Sequence, residues 1–173
     1  MKNTVEPLAE LATSIVISPE AFYEHWQGHR RLTRRVIDAF PEDKLFKYSI
    51  GGMRPFGEMV LELIDLAGAG VKGVATGKWE NSESLLHFSP ANTPDTKEEL
   101  LELWDNVTAT MQAYWPQIAP QRFQETDKAF GEYEGTVYST LLYFVDNEIH
   151  HRAQAYVYLR SLGIEPPPFW DRN

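Results

Sequence analysis

Five histidines and no cysteine set the chemistry open to this chain. His25 and His29 stand four residues apart, and two imidazoles one helical turn apart can chelate one metal ion. The same spacing equally suits an inward, hydrogen-bonded His29 beside a partly exposed His25. His87 sits among Leu85, Leu86 and Phe88, which reads as packing. His150 and His151 are neighbours; on a helix they point about 100° apart, so only one faces the interior. The inward stripe is best fitted by Phe144, Asn147, His151, Gln154 or Ala155, and Tyr158, which selects His151. Asn147 and His151 then form a polar pair in apolar surroundings. Buried polar groups need partners, and a carboxylate from a neighbouring helix is the natural one.

Other chemistries are excluded or weak. Without cysteine there is no disulfide, no thiolate metal site and no thiol nucleophile. Gly68, Gly70 and Gly73 satisfy GxGxxG, but the run before them reads helical and no alternating strand–helix pattern follows. They read instead as a small-residue helix end that permits close packing. Gly77-Lys78 lacks the rest of a phosphate loop, and neither HExxH nor GxSxG occurs. The net charge of -9 opposes binding to a phosphate backbone. Arg30, Arg31, Arg34 and Arg35 wrap around one helix near Glu20 and Glu24, so they read as solvated or ion-paired and no nucleic-acid partner is expected.

Four long helical segments must position these groups, which makes the expected fold class all-α. The first follows Ser18-Pro19, an N-cap and a first-turn proline; Phe22, Trp26, Thr33, Val36 and Phe40 line one face, and Pro41 ends it. The second runs from about Pro55 to Ala69 or somewhat beyond, its end blurred by glycines. The third starts near Thr93 to Thr96 with capping chemistry and stops at Pro116. The fourth spans about Gly135 to Leu162, free of internal proline and glycine, with Gly163 and Pro166 to Pro168 as the stop. Its apolar residues occupy nearly the whole circumference. A face with Leu142, Val145, Ile149 and Tyr156 is therefore expected to be buried by a homodimer contact, or else by the loop carrying Leu85, Leu86 and Phe88. A long polar crossover joins the second and third helices, and the 173 residues read as one domain, 1–173. The first twenty residues lack a basic region ahead of an apolar core, and no run of ~20 apolar residues occurs, so a cytoplasmic protein without a membrane span is expected.

The phrase NEIHHRAQAYVYLRSLGIEPPPFW (147–170) resembles the end of DinB/YfiT-like proteins, whose last helix carries a His-x-x-x-His pair, an Arg-Gly-Gln, a Tyr-Leu-Arg-x-Leu-Gly stretch and a Pro-Pro. GGMRPFGEMVLELI (51–64) resembles the start of the family's second helix. The resemblance extends over nearly the whole chain. It implies a four-helix bundle with a long crossover between helices two and three, often dimeric, with a divalent metal held by three histidines from helices two and four. Carried onto this sequence, the three positions become Glu62, Asn147 and His151, so only one histidine survives. An O,O,N set with a neutral amide is a poor site for Zn²⁺ or Ni²⁺ and favours harder ions such as Mn²⁺ or weak binding. Glu58, Glu62 and Asp65 also fall at the spacing of a solvated stripe.

Two functions follow as expectations. In the first, which the resemblance implies because some relatives are thiol-dependent transferases, a divalent ion (Zn, Ni or Mn) on Glu62, Asn147 and His151 activates a small thiol, giving a metal-dependent transferase or hydrolase-like protein, with Gln154, Tyr158 and His29 lining the cofactor pocket. In the second, the same scaffold has lost the metal and serves as a non-catalytic homodimer that binds a small molecule or a partner.

Overall fold

The fold comes from a computed structural model, which describes residues 16–89 and 93–173. The N-terminal stretch read above for a targeting signal lies largely outside these residues. Helix α1 spans Pro19–Ala39, and the Ser18 hydroxyl accepts from the Ala21 amide at 3.1 Å. A one-turn α2, Glu42–Leu45, follows Pro41. Helix α3 spans Phe56–Thr76, α4 spans Lys97–Tyr114 and α5 spans Val137–Ser161. A capping box between Thr96 and Glu99 opens α4, and the Thr136 hydroxyl caps α5. No helix among the described residues is long and apolar enough to cross a membrane.

The bundle is all-α in its architecture. Both α1 and α3 pack on α4 and on α5, so α1 and α3 stand diagonally opposite. One half of the core gathers Trp26, Val71, Leu141 and Phe144; the other gathers Val36, Phe40, Phe56, Leu100, Trp104 and Leu159. Phe22 stacks on Trp115 with ring centroids 5.9 Å apart and closes one end.

Helix α3 runs straight through the glycine run and ends only at Gly77, where φ is +68°. The glycines serve close approach: a Cβ on Gly70 would meet the Phe144 ring at 2.6 Å, and Gly73 lies under the Trp79 indole. No dinucleotide loop forms there, because the residues are mid-helix.

A feature absent from the sequence reading is a hairpin between α4 and α5. Strands β1 (Thr126–Ala129) and β2 (Tyr133–Thr136) pair antiparallel, Thr126 opposite Thr136. Phe130 turns the corner at φ +53°, a left-handed conformation unusual for an aromatic residue. Its ring is buried and packs on Trp79 and Phe144, at 5.3 and 6.2 Å between centroids, which compensates the backbone cost.

The crossover between α3 and α4 is pinned by an unexpected carboxylate. Asp65 is buried, accepts from the backbone amides of Leu86 and His87 at 3.1 and 3.0 Å, and pairs with His87 Nδ1 at 2.6 Å. Of the expected solvated stripe only Glu58 is exposed; Glu62 is half-buried and Asp65 is inside. His87 is accordingly an anchor rather than mere packing.

The apolar face of α5 is largely covered within the chain. Val145 is buried, and the Tyr156 hydroxyl donates to the Pro167 carbonyl at 2.7 Å as the C-terminal tail folds back. Arg31 donates to the Arg172 carbonyl and Arg35 pairs with Asp171, which ties the tail to α1. Of the four residues expected on an exposed face, Ile149 alone is exposed.

Candidate functional site

Helices α3 and α5 bring Glu62, Asn147 and His151 into one cluster. Asn147 Nδ2 donates to Glu62 Oε1 at 2.9 Å, and His151 Nε2 stands 3.5 Å from Glu62 Oε2. Gln154 orients the imidazole: its Oε1 lies 2.7 Å from His151 Nδ1, while its Nε2 donates to Met53 Sδ at 3.3 Å. With the amide so placed, Nδ1 carries a proton, and Nε2 faces Glu62 and donates to it when the ring is protonated. Tyr158 is fully buried, and its hydroxyl donates to the Arg54 carbonyl at 3.0 Å.

Arg54 is the group the sequence reading did not single out. Its Nη2 lies 2.6 Å from Glu62 Oε2 and 3.5 Å from His151 Nε2. Burial opposes the charge on Glu62, but hydrogen bonds from His151, Arg54 and Asn147 outweigh it and hold the carboxyl well below the usual carboxylate range. Glu62 is thus firmly ionised at neutral pH.

The Arg54–Glu62 pair forms one end of a cavity of about 490 Å³ enclosed by α3, the crossover, the hairpin and α5. Leu66, Phe88, Phe130, Tyr143 and Phe144 supply most of its apolar wall, with Glu134, Ser139 and Thr140 as polar interruptions. This is the size and character of a small-molecule site.

His29 lies elsewhere. It is buried in a second polar cluster, where Arg152 Nη2 donates to its Nδ1 at 2.8 Å. The neutral ring must then be protonated on Nε2, which faces His25 Nε2 at 3.2 Å. That tautomer removes the lone pair a His25–His29 chelate would need. Desolvation, with Arg152 and Arg172 nearby, lowers the His29 pKa to about 3. Glu148 completes the cluster, accepting from Trp26 Nε1 at 2.9 Å and Thr33 Oγ1 at 2.6 Å, with Arg152 Nη1 at 3.8 Å. The four-arginine run resolves into three ion pairs, Arg31–Glu24, Arg34–Asp105 and Arg35–Asp171. The fourth, Arg30, is buried with its guanidinium 3.9 Å from the Trp104 ring centroid.

The DinB family model matches residues 3–172. The chain belongs to the DinB family. Its fold is shared by a DinB-like protein from Bacillus cereus ATCC 10987, with a TM-score of 0.66 at 18% identity, over 86% of this chain and 95% of that one. The DinB-like protein YjoA from Bacillus subtilis gives the same TM-score at 21% identity, over 87% and 96% of the two chains. At such identities the likeness speaks for the fold alone. No curated protein matches the chain.

The donor set does not fit a resident divalent metal. Among the described residues no three His, Cys, Asp or Glu side chains are grouped to hold one. Asn147 turns its amide nitrogen to Glu62, and a guanidinium nitrogen faces the remaining two candidate ligand atoms at 2.6 and 3.5 Å.

Proposed function

We propose that this DinB-family protein binds a small organic molecule in the cavity between α3, the hairpin and α5, and that it does so without a resident metal. The observation that carries this reading is the cavity itself: about 490 Å³, walled by aromatic and aliphatic side chains, with an ionised Arg54–Glu62 pair at one end. Such a wall favours a ligand with an apolar body, and the pair fixes its orientation through hydrogen bonds. Screening a fragment library by ligand-observed NMR tests it. Binders that Thr140→Trp abolishes by filling the cavity support the reading; binders indifferent to that substitution refute it. The metal- and thiol-dependent transferase chemistry that the family resemblance implies has less support in this chain, because its three ligand positions hold Glu62, Asn147 and His151 with Arg54 among them.

The functional unit in this reading is a homodimer. Ile149, Ala153 and Val157 are exposed one turn apart on α5, at 38% and 55% for the first and last. A two-fold contact is the commonest way to cover such a stripe. Light scattering decides it: twice the 19.9 kDa chain mass supports the dimer, and the chain mass at micromolar concentration refutes it.

A further inference from the structure

Arg54, Glu62 and His151 form a triangle with a cation at one corner. Glu62 Oε2 and His151 Nε2 are 3.5 Å apart, and Arg54 Nη2 lies 2.6 and 3.5 Å from them. Two ligands bound at ~2.1 Å to one tetrahedral ion stand about 3.4 Å apart. The two atoms therefore have the separation of a shared ion, yet the positive charge they face is a guanidinium.

The placement of Arg54 is built rather than incidental. It precedes Pro55, the N-cap of α3, and a residue before proline is held in extended backbone. The fully buried Tyr158 hydroxyl fixes its carbonyl at 3.0 Å. The root of the side chain is thereby held at the mouth of the site, although the side chain itself is 43% exposed. Asn147 adds an independent sign of an acceptor-rich position. Its Oδ1 is buried without a hydrogen-bond partner, an oxygen in want of a donor or a cation.

The geometry points to Arg54 as the built-in cation of this site: its guanidinium gives Glu62 the positive charge a divalent ion would give, and its presence keeps such an ion out. This rests on the reading of the cavity as a site without a resident metal. A guanidinium has no open coordination position, so it cannot hold a thiolate as a metal does; it offers N–H donors in a fixed plane. Removing it leaves an ionised carboxylate and an imidazole nitrogen 3.5 Å apart beside a vacated position, with the Asn147 amide on the same carboxylate. That is an O,N pair at the separation of shared ligands, which a divalent ion completes with water. Arg54 is on this account the residue that decides which class of cation the bundle carries.

The test compares the unaltered protein with Glu62→Gln, with Arg54→Met and with the two combined. Each is dialysed separately against Mn²⁺, Ni²⁺ and Zn²⁺, then subjected to elemental analysis and titration calorimetry. Circular dichroism confirms the fold; should the Met variant not fold, Arg54→Gln retains more of the side chain's polarity and replaces it. The expected result is no stoichiometric uptake by the unaltered protein. The single Arg54 variant should take up one equivalent of at least one ion, at least tenfold more tightly, and lose it with Glu62→Gln. One equivalent bound by the unaltered protein and lost on Glu62→Gln alone would overturn the inference, and so would a folded Arg54 variant that gains nothing. Neither result depends on ligand occupancy of the cavity, which Thr140→Trp reads separately.

Discussion

Glu148→Gln tests how the polar interior is held. Glu148 is only 2% exposed and accepts from two donors, Trp26 Nε1 at 2.9 Å and Thr33 Oγ1 at 2.6 Å. Arg152, 6% exposed, places Nη1 3.8 Å from it. Glutamine keeps the volume but sets an amide N–H₂ against one of two groups that themselves donate. It also leaves the Arg152 cation without its counter-charge. A hydrogen bond to a charged group contributes about 1.5–3 kcal/mol. Breaking a buried pair from one side costs about 3–5 kcal/mol. These effects overlap, so the expected loss is about 3–5 kcal/mol rather than their sum. That is a large share of the ~5–15 kcal/mol typical of a domain's stability. Equilibrium urea unfolding at pH 7, followed by circular dichroism and tryptophan fluorescence, measures it, with an unchanged m-value. Replacing both partners, Glu148→Leu with Arg152→Met, should restore part of the loss: no charge is then stranded, but Trp26 Nε1 loses its acceptor and His29 Nδ1 its donor. A loss below about 1 kcal/mol in the single variant would refute the argument that Glu148 neutralises a desolvated Arg152.

Acid should weaken the fold through His29. The unfolded chain binds its proton near the ordinary value of 6.5 and the folded protein only near 3, so stability is lost as pH falls below 6.5. Urea midpoints between pH 6.5 and 5, where carboxylates stay ionised, should fall with pH, and His29→Gln should flatten that slope. Gly70→Ala forces a Cβ to 2.6 Å from the Phe144 ring and should cost about 1–3 kcal/mol in thermal or urea unfolding; a neutral effect contradicts the close approach of α3 and α5. Asp65→Ala strips the anchor from Leu86 and His87 and should speed limited proteolysis within residues 82–89 while leaving the helical circular dichroism intact. Unchanged cleavage there would mean that the crossover is held by its apolar residues alone.

The four bundle helices were legible because their signals are local. Ser18-Pro19, the Thr96–Glu99 box and Gly163 are start and stop chemistry that acts within one turn. Helical spacing likewise placed Asn147 and His151 on one inward face of α5, since a stripe three and four residues apart has only one way to face a core. The glycine run of α3 left open where that helix ends, and it continues to Thr76. A glycine's local preference is to break a helix, whereas here Phe144, far along the chain, and Trp79, just past the helix end, fill the space a Cβ would occupy. The hairpin escaped notice because strands of four residues carry too short a period to read, and its corner depends on the burial of Phe130.

Sequence alone determined the helices, the inward face of α5 and, through resemblance, the register that aligns Glu62 with it. Only the tertiary structure decided which charge meets Glu62. Arg54 lies eight residues away, ahead of the helix, and its guanidinium reaches the carboxylate because Pro55 and the Tyr158 hydroxyl hold its backbone there. Glu148 and Arg152 show the same limit: one turn apart on α5, they carry no local sign of burial, and it is α1 that supplies Trp26, Thr33 and His29 to enclose them. Local spacing fixes the direction in which a side chain leaves its helix. What it meets there, and how far from water, is fixed by the packing of elements far apart in the chain.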